Sequence, residues 1–278
     1  MKAPISYYGG KQNLIKTILP LFPMHTLYAE PFIGGGAIFW SKRPSNIEVI
    51  NDTNRELINF YEVIKNDFAT LSTMIRISLH SRSQFNDAKV IYGNPHMFTR
   101  EKRAWAIWVM ANESFSSMLD GTWGYDISKN CTSKKINNKR NEFSEELAIR
   151  LQNVQIECTD ALRIINSRDQ EEAFFYCDPP YFNSDCGHYD GYSKEDFEAL
   201  LTLLSSIKGK FLLSSYPSDI LSEYAEKHGW YQKQIKQTVS VANNNSTGKP
   251  NKSKIEVLTA NYDFEALHKP SDLFTDLK

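Results

Sequence analysis

The sequence predicts an α/β fold of parallel βαβ units that carries a mainly helical insertion. Two observations predict the α/β frame. Short runs rich in β-branched and aromatic residues alternate with helical patterns along most of the chain. One of these runs, Ala173 to Cys177 (AFFYC), is apolar throughout and reads as a buried strand. A third observation predicts the insertion: from about residue 67 to residue 150 the alternation stops and helical patterns follow one another.

Taken in order, strands are expected at Thr26–Ala29, Ile47–Asn51, Val154–Cys158, Ala173–Cys177 and Lys210–Ser214. Two more, Gln232–Val241 and Lys254–Asn261, flank a polar stretch, Asn243–Lys252 (NNNSTGKPNK), that is expected to be a mobile loop. Helices are expected near Gly35–Lys42 and over Asn54–Asn66. Ser193 followed by Asp196 has the form of a capping box, so a helix should start there and run over Lys194–Ser206. Another, Ser218–His228, is closed by Gly229. The inserted stretch holds a region rich in aromatics (Trp105, Trp108, Phe115), then a turn-rich segment (DGTWGYDISKN), then a basic cluster. The chain has no internal repeat.

At 278 residues, 41% of them hydrophobic, the chain suits one α/β domain with an insertion. No apolar run approaches the roughly 20 residues of a membrane span, and the start, MKAPISYYGGK, lacks the apolar stretch of a signal peptide. Cys131, Cys158, Cys177 and Cys186 show no metal-type spacing, so neither a metal nor a disulfide framework is expected, and the expected setting is the cytoplasm. The net charge of −1 excludes a generally basic, adhesive protein. Two local clusters, Lys129/Lys134/Lys135/Lys139/Arg140 and Arg100/Lys102/Arg103, can track phosphates or simply be solvated.

Four segments carry chemistry. Asp178-Pro179-Pro180-Tyr181 follows the apolar run 173–177, at the end of a strand, where open α/β sheets place ligands. The prolines fix φ and remove two backbone donors, leaving an acceptor side chain, stiff carbonyls and a flat ring. Such a set suits a planar heterocycle with an exocyclic amine, although Asp-Pro-Pro also serves as an ordinary turn. Ala29-Glu30-Pro31-Phe32-Ile33-Gly34-Gly35-Gly36 ends the first strand and opens a helix, so its glycines let backbone approach a ligand beside a helix N-terminus. The pattern is not G-x-G-x-x-G, which disfavours a dinucleotide site. Asp52 and Asp160 end the next two strands; Asp52 suits the two hydroxyls of a ribose and Asp160 an exocyclic amine, and each is also a natural helix cap. Tyr7-Tyr8-Gly9-Gly10-Lys11 places a flexible pair between an aromatic and a lysine.

In the order Y-Y-G-G-K, A-E-P-F-I-G-G-G, E-V-I-N-D-T-N, Y-C-D-P-P-Y-F, these segments resemble the DNA adenine-N6 methyltransferases of the Dam type over residues 5–262. The resemblance is strong in the motifs and weak from about 67 to 150. It implies a Rossmann-like methyltransferase fold, a seven-stranded, mostly parallel sheet with one antiparallel strand, and S-adenosylmethionine as methyl donor. It implies a catalytic domain formed by 1–66 and 151–278 and a target-recognition domain at 67–150. Carried over, Tyr7, Lys11, Phe32, Gly34, Gly35, Gly36, Asp52, Asp160, Ala161 and Asp178 are cofactor-binding, and Asp178, Pro179, Pro180 and Tyr181 catalytic. Position 7 departs from the Trp usual in close relatives.

The reaction so implied is direct transfer to N6 of an adenine turned out of double-stranded DNA. Lys134, Lys135, Lys139 and Arg140 are the expected phosphate contacts, and Asn112 and Phe115 the expected residues that read bases or fill the vacated stack. The loop Asn183–Tyr192 is expected to close over the base. A monomer is expected, with a cognate restriction endonuclease, if any, acting separately; GATC is the target the resemblance suggests. The alternatives are cytosine-N4 methylation, a catalytically inactive nucleic-acid-binding module, and, ranked lower, a protein-glutamine methyltransferase.

Overall fold

The computed structural model describes residues 1–182, 192–238 and 253–268. Residues 183–191 of the expected closing loop, the polar loop 243–252 and the last three residues of the strand expected to reach Val241 lie outside the described residues. In chain order the elements are α1 (Ile15–Ile18), β1 (Leu27–Glu30), α2 (Ala37–Ser41), β2 (Ile47–Asn51), α3 (Arg55–Asn66), α4 (Phe68–Ile77), α5 (Arg82–Gly93), α6 (Arg100–Glu113), α7 (Thr132–Asn141) and α8 (Glu146–Leu151). They continue with β3 (Gln155–Glu157), α9 (Ala161–Arg168), β4 (Ala173–Cys177), α10 (Lys194–Leu204), β5 (Lys210–Ser215), α11 (Asp219–His228), β6 (Tyr231–Thr238) and β7 (Ser253–Ala260).

The described strands form one seven-stranded sheet in the order β3-β2-β1-β4-β5-β7-β6. β1 pairs in parallel with β4 (Leu27 opposite Ala173), β2 with β3 (Val49 opposite Gln155) and β4 with β5 (Phe174 opposite Lys210). β7 runs antiparallel to both its neighbours, β5 and β6, and is the single reversed strand. β4 is buried at all five positions, as a central parallel strand covered on both faces requires. Full burial of side chains such as Phe174 and Phe175 contributes about 1.5–3 kcal/mol each.

By compactness the chain divides into two units. In the first (1–20 and 30–164), α3 is the hub, contacted by α4, α6 and α8. Its start is fixed by Asn54, whose side chain accepts from the N–H groups of Glu56 and Leu57. Leu57, Ile58, Phe60, Tyr61 and Ile64 are all fully buried; of the polar residues that face α6, Asn59 and Glu56 are buried and Glu62 is half-buried. Arg103 grips Glu56 in a fork (2.8 and 2.5 Å), Arg100 bonds Glu62 at 2.5 Å, and the Asn59 amide donates to the Arg100 carbonyl at 2.9 Å. Two members of the second expected basic cluster are therefore fasteners between helices: Arg103 is half-buried, Arg100 is exposed but paired, and Lys102 is exposed.

The second unit (21–29 and 165–278) is held by aromatic packing. Phe22 meets Phe174 edge-on at 4.6 Å, and Phe211 meets Trp230 at 4.9 Å. The capping box at Ser193 is present with both its hydrogen bonds, and Gly229 closes α11 in the left-handed conformation. No helix among the described residues is long and apolar enough to cross a membrane.

A buried ion cluster secures the first unit. Lys42 meets Glu48 at 2.5 Å, and Arg150 donates to both Glu48 oxygens while lying 4.1 Å over the Phe39 ring. The three side chains are 4%, 5% and 9% exposed, so the charges are desolvated and each depends on its partners. Burial pushes the Glu48 carboxyl up, but hydrogen bonds from Arg150 and Lys42 outweigh it and hold the group below its ordinary value. A carboxyl so depressed contributes stability above its ordinary titration range, and that contribution is lost as pH falls through the folded-state value. Glu48→Gln should therefore cost about 3–5 kcal/mol in urea unfolding at pH 7, with the gap to the parent narrowing as the solution is acidified below the ordinary carboxylate range.

Candidate active site

The first unit carries the turn after β1. The Ile33 N–H donates to the Asn51 carbonyl at 2.8 Å, the Gly36 N–H to the Ile33 carbonyl at 2.7 Å, and the Tyr61 hydroxyl to the Gly34 carbonyl at 2.6 Å. Gly34 and Gly36 have φ of 46° and 66°, where a side chain is strained. At Gly35 the reason for glycine is space, because a Cβ there would stand 2.6 Å from the Cβ of Tyr7. Tyr7 thus lies along the glycine turn, with its ring edge beside Gly34. Phe32 is half-buried, and Lys11 is buried with its ammonium donating to the Gly9 carbonyl at 3.1 Å.

Asn51, the last residue of β2, ties this turn to the next. Its amide donates to the carbonyls of Pro31 (2.9 Å) and Thr159 (3.0 Å), and its oxygen accepts from the Thr159 N–H (2.9 Å). It is fully buried and was not among the expected site residues. Its only sequence signal is an amide at the end of an apolar run, directly before Asp52. Asp52 is half-buried; one oxygen accepts from the Gly34 N–H (3.0 Å) and the other from the Asn54 N–H (2.9 Å). Burial raises its carboxyl above the ordinary value against the pull of the backbone N–H groups of Asn54, Gly34 and Thr53. The cap of α3 is Asn54, so Asp52 itself does not cap that helix. Asp160 is exposed and accepts from the Arg163 N–H at 3.2 Å, as a cap of α9 would, and Ala161 beside it is buried.

In the stretch 67–150 the expected DNA contacts separate into two groups. Phe115 is 62% exposed on a tight turn in which Ser116 and Ser117 both hold positive φ, a strained conformation for non-glycine residues. Lys134 and Lys135 are exposed on α7. Lys139 and Arg140 are half-buried; Lys139 donates to the Ala3 carbonyl at 2.5 Å, and burial pushes its ammonium down to about 8. Asn112 is 2% exposed and its amide is engaged: it accepts from the Ser6 N–H at 3.0 Å and donates to the Trp108 carbonyl at 3.0 Å. An amide so enclosed is a fastener of the N-terminal segment, which the Tyr8 N–H extends by donating to the Ser117 carbonyl at 3.1 Å.

The second unit carries the loop after β4. Asp178, Pro180 and Tyr181 are half-buried and Pro179 is buried. The Tyr181 hydroxyl lies 3.1 Å from Asp178 Oδ1 and in close contact with Glu256 of β7. Glu256 Oε1 also accepts from the Ser214 hydroxyl at 2.6 Å. The Tyr181 ring meets Tyr216 at 4.4 Å, and Phe182 packs on Phe197 at 5.2 Å. Burial, then the charges of Asp178 and Glu256, hold the Tyr181 phenol well above its ordinary range. Among the described residues no group of three His, Cys, Asp or Glu side chains comes together as metal ligands do.

Residues 7–240 match the family model of the D12 class N6 adenine-specific DNA methyltransferases. The type II methyltransferase M1.LlaDCHI of Lactococcus lactis subsp. cremoris is 29% identical over 281 residues, spanning 91% of this chain and 93% of that protein. The DNA adenine methylase of Serratia marcescens is 23% identical over 257 residues, spanning 86% and 92%. A solved putative RNA methyltransferase from Pyrococcus horikoshii overlays with a TM-score of 0.40 at 8% identity, covering 94% of this chain and 88% of its own.

Two predictions follow from the buried polar groups of the first unit. Asn51→Leu leaves the Pro31 carbonyl and both polar groups of the Thr159 backbone without this partner; at about 1–3 kcal/mol for each unsatisfied buried group, it should lower stability by several kcal/mol in denaturant unfolding. Glu113, fully buried at the end of α6, has its carboxyl raised to about 7 by burial, against the Trp123 indole N–H, the Ser81 N–H and the Arg140 charge. A carboxyl raised on folding contributes stability that is whole below its unfolded value and is lost as pH climbs through about 7. The unfolding midpoint of the parent should fall more steeply than that of Glu113→Gln as pH rises from the ordinary carboxylate range to about 7, and run parallel to it above, a contrast that thermal melts measure.

Proposed function

The chain belongs to the D12 class of N6 adenine-specific DNA methyltransferases, and we propose that it takes its methyl group from S-adenosylmethionine and delivers it to an adenine flipped out of double-stranded DNA. Membership of this class selects adenine N6 over cytosine N4. The observation that carries the finer reading is the loop Asp178-Pro179-Pro180-Tyr181 leaving the buried β4, with its aspartate and tyrosine in contact. β1 and β4 are parallel neighbours, so both strands end on the same edge of the sheet, where ligands of open α/β sheets bind.

S-adenosylmethionine fits the residues present. A carboxylate offers about four acceptor directions; backbone N–H groups of Gly34, Asn54 and Thr53 draw on three at Asp52, which leaves room for a ribose hydroxyl. The glycine turn and Tyr7 would flank the methionine part, Lys11 would approach its carboxylate, Phe32 would lie beside the turn, and Asp160 with Ala161 would meet the adenine. When bound, the cofactor supplies an activated sulfonium methyl.

The chain's own residues do the rest. The exocyclic nitrogen of adenine is a poor nucleophile, because its lone pair is delocalised into the ring. Asp178 and the Pro179 carbonyl accept its two N–H bonds and favour a tetrahedral nitrogen whose lone pair is free. Pro180 fixes that carbonyl, so the acceptors need no reorganisation as charge develops. The flipped base stacks on Tyr181, a contact that contributes ~1–3 kcal/mol, with Phe182 as a second wall. Exposed Lys134 and Lys135 hold phosphates, Lys139 and Arg140 back them, and Phe115 on its strained turn enters the stack the adenine leaves. Residues 67–150 thus form the target-recognition part, and 1–66 with 151–278 the catalytic part, of a chain that acts as a monomer.

Expression of the chain followed by methylation-sensitive long-read sequencing should report N6-methyladenine at one short sequence. Unmodified DNA, or modified cytosine, would overturn the proposal. Asp178→Ala should reduce methylation by about 100-fold or more, as loss of a fixed transition-state partner does, while circular dichroism stays that of the parent; full methylation by this variant refutes the role given to Asp178.

A further inference from the structure

Glu256 has no part in the mechanism above, yet it is a 5% exposed acid in contact with the tyrosine of the catalytic loop. β7 delivers it there. Ser215 of β5 stands opposite Val257, so Glu256 comes level with the end of β5, beside Tyr216 and the loop after β4. Its Oε1 accepts from the Ser214 hydroxyl at 2.6 Å and touches the Tyr181 hydroxyl. On its other side that hydroxyl lies 3.1 Å from Asp178 Oδ1.

A phenol has one proton to donate. Tyr181 has two carboxylates within hydrogen-bond reach, and its pKa lies well above the ordinary range, so the proton stays on the phenol and must choose between them. If it goes to Asp178, it occupies the oxygen that the adenine amine needs and makes that carboxylate a weaker base. If it goes to Glu256, the Tyr181 oxygen turns a lone pair toward Asp178 Oδ1, an arrangement unfavourable while Asp178 is ionised. The arrangement becomes a hydrogen bond once Asp178 is protonated. As the amine gains its methyl, one N–H bond breaks, its electron pair returns to nitrogen, and the proton forms an O–H bond with Asp178. That new O–H finds the Tyr181 oxygen already waiting as its acceptor. Such a contact is stronger after proton transfer than before, which is the condition for raising a rate rather than an affinity.

We propose that Glu256 is a positioning residue for methyl transfer: by drawing the Tyr181 hydroxyl proton to itself, it keeps Asp178 open to accept the proton of the adenine amine. This rests on Asp178 and Tyr181 forming the transfer centre. Ser214 holds Glu256 from behind.

The test is a double-mutant cycle on the full chain, with duplex DNA bearing its target sequence and S-adenosylmethionine. Glu256→Gln keeps the size and weakens the acceptor. It should lower kcat about tenfold while KM for DNA, and the fluorescence rise of 2-aminopurine at the target position, stay within about twofold, because binding and flipping do not need the acid. The acid limb of its kcat–pH profile should move to lower pH, as the Tyr181 proton turns to Asp178. In the Tyr181→Phe background, Glu256→Gln should change kcat by less than about twofold, since the shared hydroxyl is gone. Parent-like kcat in Glu256→Gln overturns the proposal, and so do penalties that simply multiply in the double variant. Should Glu256→Gln fail to fold, Glu256→Asp, which keeps the charge on a shorter arm, takes its place in the same cycle. A parent that makes no N6-methyladenine removes the transfer centre and this role with it. An active parent with inactive Asp178→Ala and unaffected Glu256→Gln removes this role alone.

Discussion

The side-chain amide of Asn51 is the constraint on which the first unit's strand-end loops depend. Loops at the ends of parallel strands have no ladder partner, so their backbone groups must be satisfied some other way. Asn51 meets that need for two of them at once, donating to Pro31 and Thr159 and accepting from Thr159. Its own carbonyl receives the Ile33 N–H, so the glycine turn is held from two sides. With the turn so placed, the Gly34 N–H reaches Asp52, Tyr61 reaches the Gly34 carbonyl, and Tyr7 finds the flat floor that Gly35 leaves. Glycine alone would make this turn flexible; the amide and its neighbours make it a defined surface.

Charge is partitioned by a similar logic. Several cations that look in sequence like a phosphate-binding surface have carboxylates or carbonyls as partners. Arg103 and Arg100 fasten α6 to α3, and Lys139 caps the chain's own Ala3 carbonyl. These bonds hold the helices that present the exposed set, Lys102, Lys134 and Lys135. Asn112 falls on the internal side, tying the segment before Tyr7 to α6 rather than offering its amide to a base.

The frame was legible because its signals are local. β2 and β4 fall where apolar runs placed them, and the capping box at Ser193 and the glycine after α11 mark helix ends within a residue or two. The Asp178–Tyr181 tetrapeptide and the glycine turn were legible as stiff or open backbone at strand ends. What stayed hidden depends on partners far along the chain. Glu256 lies 75 residues from Tyr181 and Asn51 lies 108 from Thr159, and no periodicity encodes either contact. The positive φ of Ser116 and Ser117 was equally unreadable, since serine carries no preference for that conformation. Arg100 and Arg103 could not be assigned from sequence, because clustered cations look alike whether or not an acid faces them.

Position 7 shows how such a site tolerates change. The family usually has Trp where this chain has Tyr7. The constraint at Gly35 comes from the Cβ of Tyr7, an atom that Trp and Tyr share, and the contact at Gly34 comes from the near edge of the ring. The packing that shapes the turn is therefore indifferent to which aromatic is present. Only the far end of the ring differs, where Tyr carries a hydroxyl and Trp a second ring with an indole N–H. The exchange keeps the floor of the turn and alters what stands at its rim, so its effect should fall on how a bound molecule is touched, not on whether the turn forms. A Cβ at Gly35 would have no such latitude, because it would meet the one part of residue 7 that every aromatic retains.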